Sequence, residues 1–397
     1  MKNYILYIAM VMTSSLYSHD STADSVVSEE HDIKVSNKKG FEVNSGDFYF
    51  RANGVLMVDF GMWDGIAFSG VNSEGGSAGE IRRAKLYLNG KYKDWQFRFH
   101  SDFAGDREFN RRFYIKYSGF KDIDIYIGRQ SKPFGLENLN SAKYISPMER
   151  SASVANFSGD RALGLSIAGS GNDYSYHIGG YEIASNATDN NYSLTGRATY
   201  APINSDQKVL HLGASFNLRQ LDESLDFDVK NRAGVHSTKV KSIISDGFIA
   251  KGNAVYNLEL SYTYNQWNIV GEYVLSDFHG ISAADDRKFS NYYIQTGFFL
   301  TNDQRSYSVA SGTFGGIKPS SENGAVEIFT HFEHIDLSDQ NFGSDAEILT
   351  LGVNWFSSQV TRFSLNYVTT NIDYARFTDN GTTIEGSAIS MRVQFDW

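Results

Sequence analysis

Ile389-Ser390-Met391-Arg392-Val393-Gln394-Phe395-Asp396-Trp397 closes the chain by alternating apolar and polar side chains. Successive side chains of a strand point to opposite faces, so a period of two gives one apolar and one polar face. The same alternation recurs upstream. Leu349, Leu351, Val353 and Trp355 interleave with Thr350, Gly352 and Asn354. Trp95, Phe97 and Phe99 interleave with Gln96, Arg98 and His100, and Ile123, Ile125 and Ile127 with Asp124 and Tyr126. A soluble sandwich shows this pattern too, so the connections must arbitrate. Short ones (Lys93-Asp94, Gly119 to Asp122, Gly171 to Asp173, Asn265-Gln266, Ser357 to Gln359) alternate with long ones at 64–78, 130–160, 220–252 and 372–384. Short turns on one side and long loops on the other are the layout of outer-membrane barrels. The pattern from Phe48 to Trp397 predicts sixteen strands in an all-β, antiparallel transmembrane β-barrel. The long stretch 301–323 departs from the rule, because strand parity places it on the periplasmic side.

Composition agrees with this expectation. The chain has 397 residues, a net charge of -10 and no Cys. Its 28 Phe and 24 Tyr suit aromatic girdles, and 36 Gly with 4 Pro suit strands and tight turns. No internal stretch approaches the roughly 20 apolar residues of a spanning helix. The acidic balance gives no reason to expect a nucleic-acid partner. Lys2 followed by the apolar run Tyr4 to Met12 reads as a secretory signal, with cleavage after Ser15, Ser18 or Ala23. The expected organisation is therefore a signal peptide at 1–23, a flexible periplasmic segment at 24–46 and a barrel at 47–397 in the cell outer membrane. Lipid is one expected partner. Barrel-assembly machinery, which reads C-terminal aromatic strands, is another.

Charge is concentrated early in the barrel. Between Gly79 and Lys116 there are ten Lys/Arg against five Asp/Glu, in a chain that is acidic overall. With Leu86 and Leu88 facing lipid, Arg83 and Lys85 face the lumen. With Trp95, Phe97 and Phe99 facing lipid, Arg98 and His100 face inward. With Phe113 and Ile115 facing lipid, so do Arg112 and Lys116. A charge at the lipid midplane costs roughly 2–4 kcal/mol, so the inward side is favoured. Rings of Arg and Lys are how pores attract anions. Asp102 shares the face of Arg98. Strict alternation turns Arg82 toward lipid with Ala84, unless it sits at the rim or a bulge reverses it. After the fifth strand, Pro133 and Gly135 mark a turn into a loop that offers Lys132, Lys143 and Arg150, with Glu137 and Glu149 as candidates to hold it to the wall.

Three segments carry a family resemblance. They are Glu80-Ile81-Arg82-Arg83-Ala84-Lys85, Ile127-Gly128-Arg129-Gln130-Ser131-Lys132-Pro133-Phe134-Gly135-Leu136-Glu137, and Ser146-Pro147-Met148-Glu149-Arg150-Ser151. Ser311 to Gly315, Gly324 to Glu327 and Leu351 to Trp355 agree with them. The chain resembles the phosphate-selective porin O and P family over nearly all of its mature length. The resemblance implies a homotrimer of sixteen-stranded barrels, each with its third loop folded inward as a constriction. It matches Arg150 and Ser141 to positions lining the family's phosphate site, and Arg82 and Arg83 to its wall arginines. Ala142 stands where a second Ser is favoured, and Asn138 where Lys is expected. The candidate anion-binding set is thus Arg82, Arg83, Lys85, Arg98, Arg112, Lys116, Lys132, Ser141, Lys143 and Arg150. The expected function is a passive channel for small anions, phosphate or polyphosphate, without cofactor or metal. A weakly selective general porin and an adhesin presenting loop 220–252 are the alternatives. No enzyme is expected, since the nine His show no H-E-x-x-H spacing, and Asp59, Ser101 and His100 form no recognisable triad.

Overall fold

The structure is a computed structural model that describes residues 32–36, 40–69, 72–105, 110–159, 161–183, 191–283, 285–340, 342–374 and 383–397. Sixteen strands form the barrel. The first eight are β1 (Phe48–Ser69), β2 (Asn72–Tyr92), β3 (Trp95–Asp102), β4 (Asn110–Phe120), β5 (Ile123–Gln130), β6 (Ala162–Ser170), β7 (Tyr174–Glu182) and β8 (Tyr192–Asn204). The rest are β9 (Lys208–Phe227), β10 (Phe248–Tyr264), β11 (Trp267–His279), β12 (Arg287–Phe299), β13 (Ala325–Asp336), β14 (Ser344–Phe356), β15 (Thr361–Tyr374) and β16 (Thr383–Asp396). Each pairs antiparallel with the next, and β16 closes on β1 from Ser387 opposite Asp64 to Asp396 opposite Val55. Phe97, Leu351 and Val393 are exposed on the outside, and Ile125 lies half-buried among the outward side chains of β5. At the periplasmic turns Lys93, Asp122 and Asn265 take φ of 52°, 61° and 49°, the left-handed conformation that tight hairpins need.

The C-terminal residue has a built seat. The Trp397 N–H donates to Gly54 O (3.1 Å), and the Gly54 N–H donates to Trp397 O (3.0 Å). A Cβ on Gly54 would stand 2.6 Å from the indole, so only glycine admits the ring there. Deleting Trp397 is expected to lower the amount of folded, heat-modifiable barrel severalfold on unboiled gels. Unchanged levels would show that the terminal aromatic has no part in assembly.

Within the segment 24–46, expected to be flexible, Asp32–Ser36 and Gly40–Ser45 instead form an antiparallel hairpin. The second of these strands pairs with the start of β1, Phe41 opposite Ala52 to Ser45 opposite Phe48. The reason lies in the closure. β16 covers β1 only from Val55 upward, and the hairpin covers the backbone edge left below it. The expected signal peptide lies outside the described residues.

Three insertions fill much of the lumen. Residues 131–161 follow β5 and carry two single-turn helices, α1 (Leu136–Leu139) and α2 (Ala152–Ala155). Residues 228–247 fold inward from the outer rim, burying Ala233, Val235 and Ile243. Much of the 220–252 stretch is therefore strand or an inward cap, and not the outward display that the adhesin alternative required. Residues 300–324 enter from the periplasmic end, as strand parity demands. There the Phe314 N–H donates to Asn140 Oδ1 (2.9 Å) and Arg305 pairs with Glu327 (2.7 Å). Phe134, Val154 and Phe157 pack with Val235, Phe289 and Ile335 in an apolar cluster inside the barrel. Each large apolar side chain so buried contributes about 1.5–3 kcal/mol, which holds the inner loop against one side of the wall.

Candidate functional site

The basic wall begins with an irregularity. On β2, Arg83 lies opposite Met57 but Ile81 lies opposite Val58, so Arg82 is an extra residue in the ladder. This β-bulge turns two successive arginines into the lumen, where strict alternation would have sent one to lipid. Arg82 then pairs with Glu149 of the inner loop through both guanidinium edges (Nε to Oε1 2.7 Å, Nη2 to Oε2 2.5 Å).

Three cavities run in series beside this wall. The outer one, about 340 Å³, is lined by Arg82, Arg83, Arg150, Arg161, Arg232 and Lys241 among others, with Glu149 as its single carboxylate among the described residues. The middle one, about 180 Å³, is lined by Lys85, Arg112, Arg150 and Arg161, with Tyr87, His100, Ser141 and Ala142 and, among the described residues, no carboxylate. The inner one, about 430 Å³, is lined by Arg51, Lys91, Arg98 and Lys143, again with no carboxylate among the described residues. Outer and middle cavities share Ala142, Arg150 and Arg161; middle and inner share Tyr87 and His100. The three therefore lie one after another along the basic wall, a lane running from the outer-rim cap toward the periplasmic end.

Ion pairing decides which cations still carry charge into that lane. Arg83 faces Asp102 at 3.7 Å, and Asp102 also accepts from the Ala84 N–H (3.1 Å). Asp102 is thus drawn to β2 and does not pair with Arg98, whose face it shares. Lys143 lies 3.0 Å from Asp396. Lys85, Arg98, Arg112 and Arg150 have no carboxylate within ion-pair distance among the described residues. Arg150 is instead held by neutral carbonyls, donating to Glu137 O (3.0 Å) and Asn140 O (2.7 Å). That fixes its position without cancelling its charge.

Two expected residues stand elsewhere. Lys132 is buried and donates to Ser193 Oγ (2.7 Å), so it ties the loop entrance to β8 and lines none of the three cavities. Lys116 faces inward but pairs with Asp124 (2.9 Å), and it too lines none of them. Arg161, Arg232 and Lys241 were missed. Alternation assigns no face to residues in connections, and only the folded loops bring these three to the vestibule. Arg51 was missed as well, although its phase on β1 was readable.

Glu149 holds the loop to the wall as expected. Burial raises its pKa, but the Arg82 charge and hydrogen bonds outweigh this and hold the carboxyl well below the usual range. Glu137 works differently. Its carboxylate accepts from the Ser151 N–H within the loop (2.8 Å). Burial, followed by the neighbouring Glu272 charge, pushes its pKa up from 4.5 to about 8. A carboxyl raised on folding contributes stability that is fully present below the unfolded value and lost as pH rises through the folded one. Loop docking should therefore weaken between pH 4.5 and about 8. Open-channel noise is expected to grow across that window, and Glu137→Gln should reduce the growth. A wild-type trace with pH-independent noise would refute this.

Known proteins place this architecture. A family model described as phosphate-selective porin O and P matches residues 50–397. Porin O of Pseudomonas aeruginosa is 26% identical over 439 aligned residues, covering 99% of each chain. Among solved structures, OmpT of Vibrio cholerae superposes with a TM-score of 0.58 at 10% identity, covering 90% of this chain and 100% of that one. An anion-selective porin from Comamonas acidovorans superposes with a TM-score of 0.52 at 14% identity, covering 88% and 100%.

Proposed function

The chain belongs to the phosphate-selective porin O and P family, and from that premise we propose that its lane carries phosphate-type oxyanions by diffusion, with no covalent step. It is an outer-membrane porin. The observation that carries the reading is the middle cavity, where Lys85, Arg112 and Arg150, none with a carboxylate in ion-pair distance among the described residues, converge with Arg161. Charge-assisted hydrogen bonds from guanidinium and ammonium groups are roughly twice as strong as neutral ones and match the oxygens of phosphate. Ser141 adds a hydroxyl to the same cavity. Several moderate sites in series let a solute enter and also leave.

Two departures favour a second reading, a weakly selective general porin. Ala142 adds no hydroxyl. Asn138 donates to Phe134 O (3.1 Å), so its amide serves the loop. Reversal potentials of the single channel in asymmetric KCl test the sign of selectivity, and anion preference is expected. Adding inorganic phosphate should then reduce chloride current, more strongly at low salt. Anion preference without phosphate block would leave the weakly selective reading, and cation preference would remove the anion reading and leave the general porin.

Strand lengths support the homotrimer. β5 has 8 residues and β6 has 9, whereas β9 has 20. At ~3.3 Å per residue and a tilt near 40°, eight residues rise only about 20 Å, short of the ~25 Å apolar band of such barrels. A wall this low is better covered by another copy than by lipid. Native-size analysis in mild detergent should give a trimer, and a monomer would remove this reading.

A further inference from the structure

Alternation turns four glutamates of the far wall into the lumen: Glu259, Glu272, Glu327 and Glu333, all buried. Two of them have guanidinium partners, Arg197 to Glu259 (2.7 Å) and Arg305 to Glu327 (2.7 Å). The other two have none among the described residues. Glu272 accepts from the backbone N–H groups of Leu136 and Glu137 (2.8 Å each), the Asn257 amide (2.8 Å) and the Tyr293 hydroxyl (2.9 Å). Glu333 accepts from the Ser151 hydroxyl (2.6 Å) and the Ala152 N–H (2.8 Å). The first turn of each inner-loop helix thus sits on one carboxylate of the wall opposite the basic lane.

We propose, building on the anion-channel reading, that Glu272 and Glu333 are positioning residues for selectivity: they dock loop 131–161 on the acidic wall, and the docked loop conceals these two carboxylates from the pore. The loop then has two separable effects. It narrows the lumen, and it removes two inward carboxylates from view of the permeating ion. Neutral donors suit this role. A cation in place of the N–H groups would also satisfy the carboxylates, but would place further charges in the loop. Helix-turn N–H groups satisfy them with partial charges that reach only a short way. A carboxylate uncovered in a narrow, low-dielectric lumen would attract cations as strongly as a lane arginine attracts anions.

The test separates width from concealment. Residues 136–155 are replaced by a short Gly-Ser linker in two full-length barrels, one otherwise unchanged and one carrying Glu272→Gln and Glu333→Gln. Both should conduct more than the intact protein. The chloride-to-potassium permeability ratio at low salt should fall severalfold in the first and stay severalfold higher in the second. Equal ratios in the two would overturn the proposal. A second measurement does not depend on loop removal. The chain has no cysteine, so one introduced thiol is a clean probe. In the intact loop background, His331→Cys, on the same buried inward face of β13 and leaving both docking glutamates in place, should resist a charged methanethiosulfonate while Arg112→Cys reacts. Equal reaction rates would overturn the concealment. If the unmodified channel prefers cations, the anion-channel reading fails on that result alone, and the thiol rates still report whether the acidic wall is covered.

Discussion

Replacing Arg98, Arg112 and Arg150 together by glutamine is expected to lower the chloride-to-potassium permeability ratio about tenfold at low salt. The three are chosen because no carboxylate cancels them among the described residues. They also stand at successive depths, Arg150 between outer and middle cavities, Arg112 in the middle one and Arg98 in the inner one. A unit charge about 8 Å from an ion, at an effective dielectric near 40, contributes about 1 kcal/mol. Even with partial screening, three such losses exceed the 1.4 kcal/mol that corresponds to a factor of ten. The narrow lumen focuses the field, which is how an acidic protein can present a positive pore. The effect should shrink as salt approaches 1 M, where the Debye length is about 3 Å. Phosphate block should weaken in the same variant, because Arg112 and Arg150 both line the middle cavity. A triple variant with unchanged selectivity would mean that the lane charges do not act on the permeating ion.

Much of this wall was legible from phase alone. Arg83, Lys85, Arg98 and Arg112 alternate with large apolar side chains that can face only lipid, so their direction follows from period two. The number of strands follows in the same way. What phase does not contain is the pairing. Lys116 is directed inward as read, yet the β4–β5 register sets it opposite Tyr126 and brings Asp124 within reach. By sequence Lys132 belongs to the loop, but the loop's entrance runs along β8 and buries it. The Arg82 bulge is one extra residue in a ladder, and its register is seen only against the partner strand. The inner loop is the largest such case. Glu272 and Glu333 read as ordinary lumen polarity until the path of residues 131–161 is known.

Arg392→Gln is expected to produce the largest loss of stability of any single change at the loop. Arg392 on β16 grips Asp59 of β1 with two hydrogen bonds (Nε to Oδ1 2.7 Å, Nη2 to Oδ2 2.6 Å), and it reaches Glu149 of the loop at 2.8 Å. It also donates to the Met148 carbonyl. With Arg82 on the far side of Glu149, two guanidiniums and two carboxylates form one neutral network that ties β1, β2 and β16 to the loop. Removing one partner of a buried pair costs about 3–5 kcal/mol, because the charge left behind is uncompensated. Asp59 is that charge, since Arg392 is its one ion-pair partner among the described residues. The barrel should therefore lose heat resistance in detergent, and its conductance should rise as the loop loosens. Adding Asp59→Asn should restore much of the heat resistance, since replacing both members of a buried pair costs less than orphaning one. The paired substitution removes one positive and one negative charge, so anion preference should survive it, unlike the loss expected on neutralising Arg98, Arg112 and Arg150. Anion preference lost along with the Asp59–Arg392 pair would instead make Arg392 part of the conducting wall, and its link to Glu149 would then have to be read as pore lining.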